Sequence, residues 1–426
     1  MENIVDDLNY RGLIEQYSNE ENVRKLLSKK TTIYCGFDPS AASMHVGNYV
    51  MISILKRLQK AGHKIIALVG GATGMIGDPS GKSKERNLQS MEVLKANTES
   101  IRQQLERFID LSDPDKGMIV NNYDWLGKMS MLDFLRDYGK FFSVNYMLSK
   151  EIVSSRLEAG ISFTEFSYQI LQSVDFYHLR KTEGASIQIG GNDQWGNLTS
   201  GLELIRKLDG DEAEAEVMTA HLITRADGKK FGKSEKGALF LDRNLTSPYQ
   251  LYQYFINTTD EDAVKYLKVF TFLSHDEIED VIREHLANLG MRVAQKKLAY
   301  EVVKDIHGKD AADEAVNMSS VLFTGAVQNL TASQIEEILG SLKTKLPEEI
   351  NLVMTEEGKY LEIFDSILIG GVDEVLIELV WGSEVAVKEE SALLGFAKLL
   401  AIGTGDEVGG HDFRFGFIAI ELSDEL

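Results

Sequence analysis

The sequence predicts a doubly wound α/β domain, then a helical region, then a small mixed terminal unit. Three observations predict this. Apolar runs of strand length alternate with helical patterns in the first half of the chain. Gly-rich turns follow those runs, as they do where a parallel sheet hands over to its helices. From about Ser247 the pattern changes to successive long helical stretches with no clear strand.

The elements come in this order. Residues 31–37, "TTIYCGF", read as a strand, and residues 45–61 as a helix with Val46, Val50, Ile54, Leu55 and Leu58 near helical spacing. Residues 64–69, "KIIALV", are a second strand, and "ASIQI" at 185–189 a third that ends in the turn "GGNDQWGN". The sequence "FTEFSYQILQSVDF", 163–176, is a helix. Tyr168, Gln172 and Asp175 share one face, while Phe163, Phe166, Ile170, Leu171 and Val174 cover the rest, so the helix is expected to be buried. The expected divisions are an α/β domain at 1–220, a lysine loop at 221–246, a helical domain at 247–325, a linker at 326–345 and a last unit at 346–426.

Composition narrows the function. The chain has 426 residues, 43% hydrophobic and 26% charged, enough for two or three domains with a sizeable core. No apolar run approaches a membrane span, and the start "MENIVDDLNYRGL" lacks the basic and apolar parts of a secretory signal. The one cysteine, Cys35, excludes a disulfide framework and a Cys-based zinc site. A cytoplasmic, non-membrane protein is expected. The formal charge of −21 argues against broad coating of DNA.

Three segments carry chemistry. "GGATGMIGDPSGKS", Gly70–Ser83, contains Gly-Lys-Ser, but only three residues separate Gly77 from Gly81. A P-loop has one more residue there, so this loop is not one. "DPSAASMHVGN", 38–48, joins a strand to a helix, with His45 and Asn48 one turn apart and Gly47 between them. A helix start of this kind favours a phosphate; the plainer reading is a helix capped by Ser43. "DGKKFGKSE", 227–235, sets Lys229, Lys230 and Lys233 around Gly232. Such a loop suits a departing polyanion, or it is a solvated basic turn.

The order of these segments resembles the class I aminoacyl-tRNA synthetases. "HVGN" stands where that class has His-Ile-Gly-His, with Asn48 for the second His. "KFGKS" stands for Lys-Met-Ser-Lys-Ser, with Phe231 and Gly232 in the middle. With "YCGFDPSAASMHVGN", "LVGGATGMIGDPSGKS", "GISFTEFSYQILQSVDF", "QIGGNDQWGN" and "TSPYQLYQYFIN", the chain resembles the bacterial tyrosyl branch from Arg11 to about residue 330. The resemblance implies a Rossmann-like catalytic domain, a helical anticodon-side domain and an α+β, S4-like terminal domain. It implies a tyrosine–tRNA ligase that makes tyrosyl-adenylate from L-tyrosine and ATP, and then charges tRNA(Tyr).

The same resemblance implies residue roles. His45 and Asn48 bind phosphates in the transition state. Lys82, Arg86, Lys230 and Lys233 clamp the leaving pyrophosphate. Asp78, Tyr168 and Gln172 take the substrate ammonium, with Gln194 near its carboxylate; Tyr34 and Asp175 take its phenol. Asp38, Gly191 and Asp193 hold adenosine, with Cys35, Gly36, Ser40, Gly47 and Ser234 completing the ATP site. Mg²⁺ comes with ATP, and no protein metal site is expected. A homodimer is implied, with "MLDFLRDYGKFFSVNYML", 131–148, either at its interface or in the core.

The tail departs from the pattern. Residues 341–426 carry six Lys and Arg (Lys343, Lys345, Lys359, Lys388, Lys398, Arg414) against eighteen Asp and Glu. An S4-like domain gains its RNA affinity from cations, so this one is diverged. Two alternatives to the ligase arise: a tyrosine-activating paralogue that serves an acceptor other than tRNA, and a non-catalytic binding protein.

Overall fold

The computed structural model describes residues 3–80, 88–154, 160–224, 231–234, 237–324, 330–331, 333–335 and 337–338, and the strands between 351 and 422. Two compact units result. The first is Met1–Leu245 with Glu261–Ile282; the second is Thr246–Asp260 with Arg283–Leu426.

In the first unit six strands form one sheet: β1 (Ile14–Tyr17), β2 (Thr32–Phe37), β3 (Lys64–Val69), β4 (Gly117–Asn121), β5 (Ala185–Gly191) and β6 (Glu216–Ala220). Their spatial order is β1-β6-β5-β2-β3-β4. Every pairing is parallel except β1 on β6. The chain therefore runs outward one way from β2 and the other way from β5. The carboxyl ends of β2 and β5 flank the switch point, where such sheets open a crevice. A hairpin of β7 (Lys233–Ser234) and β8 (Gly237–Ala238) comes next.

The helices of this part are α1 (Ile4–Tyr10), α2 (Glu20–Leu27), α3 (Val46–Lys60), α4 (Thr73–Ile76), α5 (Met91–Glu106), four short ones, α6 to α9, between Tyr123 and Ser154, α10 (Phe163–Glu183) and α11 (Trp195–Asp209). Local chemistry sets their ends. Ser162 caps α10 by accepting the Glu165 N–H, and Gly184 ends it at φ +70°. Tyr34, Ile66 and Leu68 of the sheet pack with Phe176 and Leu179 of α10 and Leu198, Leu202 and Ile205 of α11 in one core. Phe163 departs from the expected burial: it is 70% exposed, at the first turn of α10.

After the hairpin the described residues include the helices α12 (Pro248–Ile256), α13 (Asp260–Phe270), α14 (His275–Ala287), α15 (Val293–His307) and α16 (Lys309–Thr324). The stretch expected as one helical domain is divided, because residues 261–282 group with the first unit. In the second unit α12, α15 and α16 pack on one another. Leu330, Ile335 and Ile338, in the segment read as a linker, are buried with Tyr249, Met318 and Val321 of that helical core.

Beyond them, β9 (Asn351–Met354), β10 (Tyr360–Phe364), β11 (Val375–Val380) and β14 (Ile418–Leu422) form an antiparallel sheet in the order β14-β11-β10-β9. β12 (Val385–Lys388) pairs with β13 (Asp412–Phe415). The rest of 346–426, and with it the S4-like arrangement expected there, lies outside the described residues.

Candidate active site

The crevice residues sit just past the strand ends. Gly36, on the central strand β2, is exposed, so among the described residues no helix covers the sheet there. Asp38 follows β2, Gly70 follows β3, Asn122 follows β4, and Asp193 follows β5. The Gly70 loop is tied to its neighbours by backbone: the Gly70 N–H donates to Phe37 O, and the Ala72 N–H to Asn122 Oδ1. A β-carbon at Gly70 would lie 2.0 Å from Asp38 Oδ1, so only glycine lets that carboxylate sit there. The first glycine of the loop thus serves an aspartate from the next strand.

One end of the crevice holds a buried pair. Tyr34 is 1% exposed and Asp175 2%. Asp175 accepts from Asn122 Nδ2 at 3.0 Å and from Trp125 Nε1 at 2.8 Å. Burial nevertheless pushes its carboxyl up to about 7, against the pull of these two donors. The Tyr34 hydroxyl has no hydrogen-bond partner among the described residues. Burial, and the nearby Asp175, push its ionisation well above the usual phenol range. An unpaired buried hydroxyl is costly in the free protein and well suited to a polar ligand atom.

Helix α10 carries Tyr168 and Gln172 back along the same face from Asp175. The Tyr168 hydroxyl donates to Asp38 Oδ2 at 2.7 Å, and Thr73 Oγ1 donates to Asp38 Oδ1 at 2.7 Å. Donating leaves the Tyr168 oxygen able to accept. Burial, Asp38 and Asp78 all raise its ionisation. Gln172 is half-buried. Asp78 accepts from Gln194 Nε2 at 2.6 Å and from the Ser80 N–H at 2.9 Å, with Asn197 Nδ2 at 3.5 Å. Asp78, Tyr168 and Gln194 thus belong to two adjoining carboxylate clusters.

The other end is the start of α3. His45, not Ser43, is the N-cap residue; Asn48 Oδ1 accepts the His45 N–H at 3.0 Å. Ser43 instead bonds Met44 O and Gln104 Oε1. The His45 ring folds over Gly47, where a β-carbon would lie 2.8 Å from its Nδ1. The second motif reaches this point through backbone. His45 bridges Phe240, the Val46 N–H donates to Leu239 O at 2.8 Å, and the Leu239 N–H to Gly232 O at 2.9 Å. The two motifs, far apart in sequence, therefore meet in space.

The remaining expected residues divide. Asp193 lies against Gly191, with its Oδ1 2.7 Å from where a β-carbon there would stand. Ser40 is exposed, and its carbonyl accepts from Gln89 Nε2 at 2.8 Å. Cys35 is buried beside the Gly36 carbonyl, and burial alone pushes its thiol up. Lys233 and Ser234 are placed as backbone in β7. Lys82, Arg86 and Lys230 lie outside the described residues. Sequence reasoning missed Asn122 and Trp125, which hold Asp175, Thr73, which holds Asp38, and Asn197 beside Asp78. Only "NNYDWL" directly after a strand end marked the first two.

A switch-point crevice joined to these two motifs defines a class I aminoacyl-tRNA synthetase catalytic unit. The family described as tRNA synthetases class I (W and Y) matches residues 26–324. A tyrosine–tRNA ligase of Listeria welshimeri is 52% identical over 354 residues, spanning 82% of this chain and 84% of that relative. One from Bacillus caldotenax is 54% identical over 336 residues, 78% of this chain and 80% of the relative. The C-terminally truncated mitochondrial tyrosyl-tRNA synthetase of Aspergillus nidulans superposes with a TM-score of 0.69 at 32% identity, covering 76% of this chain and 95% of that one. The chain belongs to the tyrosyl-tRNA synthetase family.

Proposed function

We propose that the crevice joins L-tyrosine to ATP as tyrosyl-adenylate and then passes tyrosine to tRNA(Tyr). One observation carries the choice of amino acid: a buried carboxylate, already oriented by two donors, beside a tyrosine hydroxyl with no partner among the described residues. A substrate phenol donates to Asp175 and accepts from Tyr34. Phenylalanine leaves the Tyr34 hydroxyl without an acceptor and offers Asp175 no further donor, and that loss is the basis of discrimination. At the far end of the amino acid, Asp78, Tyr168 and Gln172 accept the ammonium, and Gln194 lies by the carboxylate.

The substrate carboxylate then attacks the α-phosphorus in line, and pyrophosphate leaves. The chain supplies position and charge rather than a nucleophile. Asp38, Gly191 and Asp193 hold the ribose side of ATP, with Cys35, Gly36, Ser40, Gly47 and Ser234 lining the rest. His45 and Asn48 meet the phosphates, and Lys82, Arg86, Lys230 and Lys233 take up charge on the leaving group. Mg²⁺ enters as part of the nucleotide substrate.

The second protomer of a homodimer would cover the segment 131–148. Met131 and Leu132, at its start, are 70% and 78% exposed, while Met147 near its end is buried, so the start of the segment is the part such a protomer would cover. A cytoplasmic location fits a chain in which, among the described residues, no helix is long and apolar enough to cross a membrane.

Pyrophosphate exchange with tyrosine and ATP, followed by tyrosine transfer to total cognate tRNA, tests this reading. Both steps are expected. No exchange overturns it, and exchange without transfer favours the non-tRNA acceptor. The acidic tail is the only feature that favours that acceptor. Deleting 346–426 is expected to leave exchange intact and to remove little of the salt dependence of tRNA binding, because few cations go with it. Loss of several units of salt slope would show that Lys359, Lys388, Lys398 and Arg414 gather on RNA.

A further inference from the structure

Four aromatic rings link the two motifs. Phe231, in the second motif, is buried. Its ring stacks on Phe270 at 4.8 Å between centroids and 21° between planes, and meets Tyr266 edge-on at 5.0 Å. Phe270 stacks in turn on Tyr49, at 6.0 Å and 13°. Tyr49 is on α3, one turn past His45; Tyr266 and Phe270 are on α13. All three are without exposed surface. Helix α13 also holds the chain before the motif: the Tyr266 hydroxyl and Lys265 Nζ donate to the Thr224 carbonyl at 3.3 and 3.2 Å.

The course of the backbone beyond Phe231 depends on where its ring sits. Gly232 turns the backbone at φ +76°, and a β-carbon there would lie 3.3 Å from the Gly47 nitrogen. A shift of the Phe231 ring therefore moves Gly232 against Gly47, and Lys233 with it. Ordinary core packing would need a ring of this size. It would not require the ring to stack on Phe270, the residue that also stacks on Tyr49 of the helix that carries His45.

We propose that Phe231, gripped by Tyr266 and Phe270 and linked through Phe270 to Tyr49, is a positioning residue for adenylate formation, setting the strand of Lys233 against the helix start of His45. This rests on the assignment of Lys233 to the leaving pyrophosphate. Phe231→Ala is compared with Phe231→Met, which keeps an unbranched apolar side chain in the box, and with Lys233→Ala. Single-turnover adenylate formation, tyrosine Kd and Tm are measured on the full chain. Phe231→Ala is expected to slow adenylate formation about 10²-fold, the scale of an ångström-sized misplacement. Its tyrosine Kd stays near that of the wild type, and Phe231→Met recovers most of the rate. Where Phe231→Ala fails to fold, Phe270→Leu carries the same expectation at smaller size. An unchanged rate in these variants, or a rate loss matched by lost tyrosine affinity, overturns the proposal. A full rate in Lys233→Ala overturns the lysine assignment instead, and the two results are read separately.

Discussion

The two ends of the crevice are held by different means. At the end proposed for the phenol side chains hold side chains: buried Asn122 and half-buried Trp125 fix buried Asp175. At the end proposed for the phosphates backbone holds backbone: Val46 to Leu239, Leu239 to Gly232, Leu241 to Met44. The first kind of end is rigid and specific, and single substitutions break it. The second fixes a place through main-chain bonds that a side-chain substitution there leaves standing. Discrimination between amino acids needs the former and pyrophosphate departure the latter.

The largest effect is expected at the phosphate end. Lys230→Ala and Lys233→Ala should each slow adenylate formation by about 10²- to 10³-fold, the size of one lost transition-state donor. Tyrosine affinity should barely change, because the backbone ladder survives. Single-turnover rates beside equilibrium binding of tyrosine check this. Equal losses in both would mean the segment only supports the fold.

At the phenol end the comparison sharpens differently. Asp175→Asn should weaken tyrosine binding by about 10²-fold, since a charged acceptor is lost and the new amide faces two donors. Tyr34→Phe should lower tyrosine-over-phenylalanine selectivity by about tenfold, one net hydrogen bond. It should also stabilise the substrate-free protein by about 1 kcal/mol, because it removes a buried hydroxyl with no partner among the described residues. Selectivity ratios from exchange kinetics and denaturant midpoints test the two halves. A destabilised Tyr34→Phe with unchanged selectivity would remove the pair from the substrate pocket.

Asn122 tests the idea that side chains hold this end. Asn122→Ala frees one oxygen of Asp175 and opens a gap where Ala72 N–H and Thr73 also bond. Tyrosine binding should weaken by about tenfold with adenylation otherwise intact, less than for Asp175→Asn because Trp125 remains. Tyrosine Kd and the single-turnover rate separate the two effects.

The same difference decides what the sequence reveals. The central strands β2, β3 and β5 stand out because burial on both faces makes their runs apolar. β1 and β4 lie at the sheet edges and β6 opens on Glu216, which is buried only because Ser18 and Asn22 bond it. Their patterns are therefore weak. Tyr168, Gln172 and Asp175 are readable because one helix repeats them on one face. Asn122 and Trp125 are not, since their link to Asp175 exists only once β4 is placed beside β3. His45 in place of Ser43 as the cap of α3 was hidden for a similar reason. Residue preference favours serine, and contacts to Gln104 on α5 take Ser43 away.

The smallest effect is a pH dependence confined to the phenol end. The Asp175 carboxyl is held at about 7 in the folded protein, raised from 3.8 chiefly by burial. The folded state thus keeps a proton that the unfolded state gives up. The stability it contributes is full below 3.8 and is lost as pH rises through about 7. Asp175→Asn has no such loss, so its midpoint should gain on the wild type between about pH 4 and 7 and run parallel above. Tyrosine binding has the opposite sign. The substrate phenol prefers the ionised carboxylate, so wild-type affinity should rise from about pH 5.5 toward about pH 7 and then level off, before the substrate ammonium titrates. The slope should be at most about tenfold per pH unit, as for one proton, and absent in Asp175→Asn. Lys233→Ala should keep it in full, because the phosphate end holds no part of this proton. A flat wild-type profile, or a slope shared by Asp175→Asn, would place the proton elsewhere and take away the electrostatic half of the comparison.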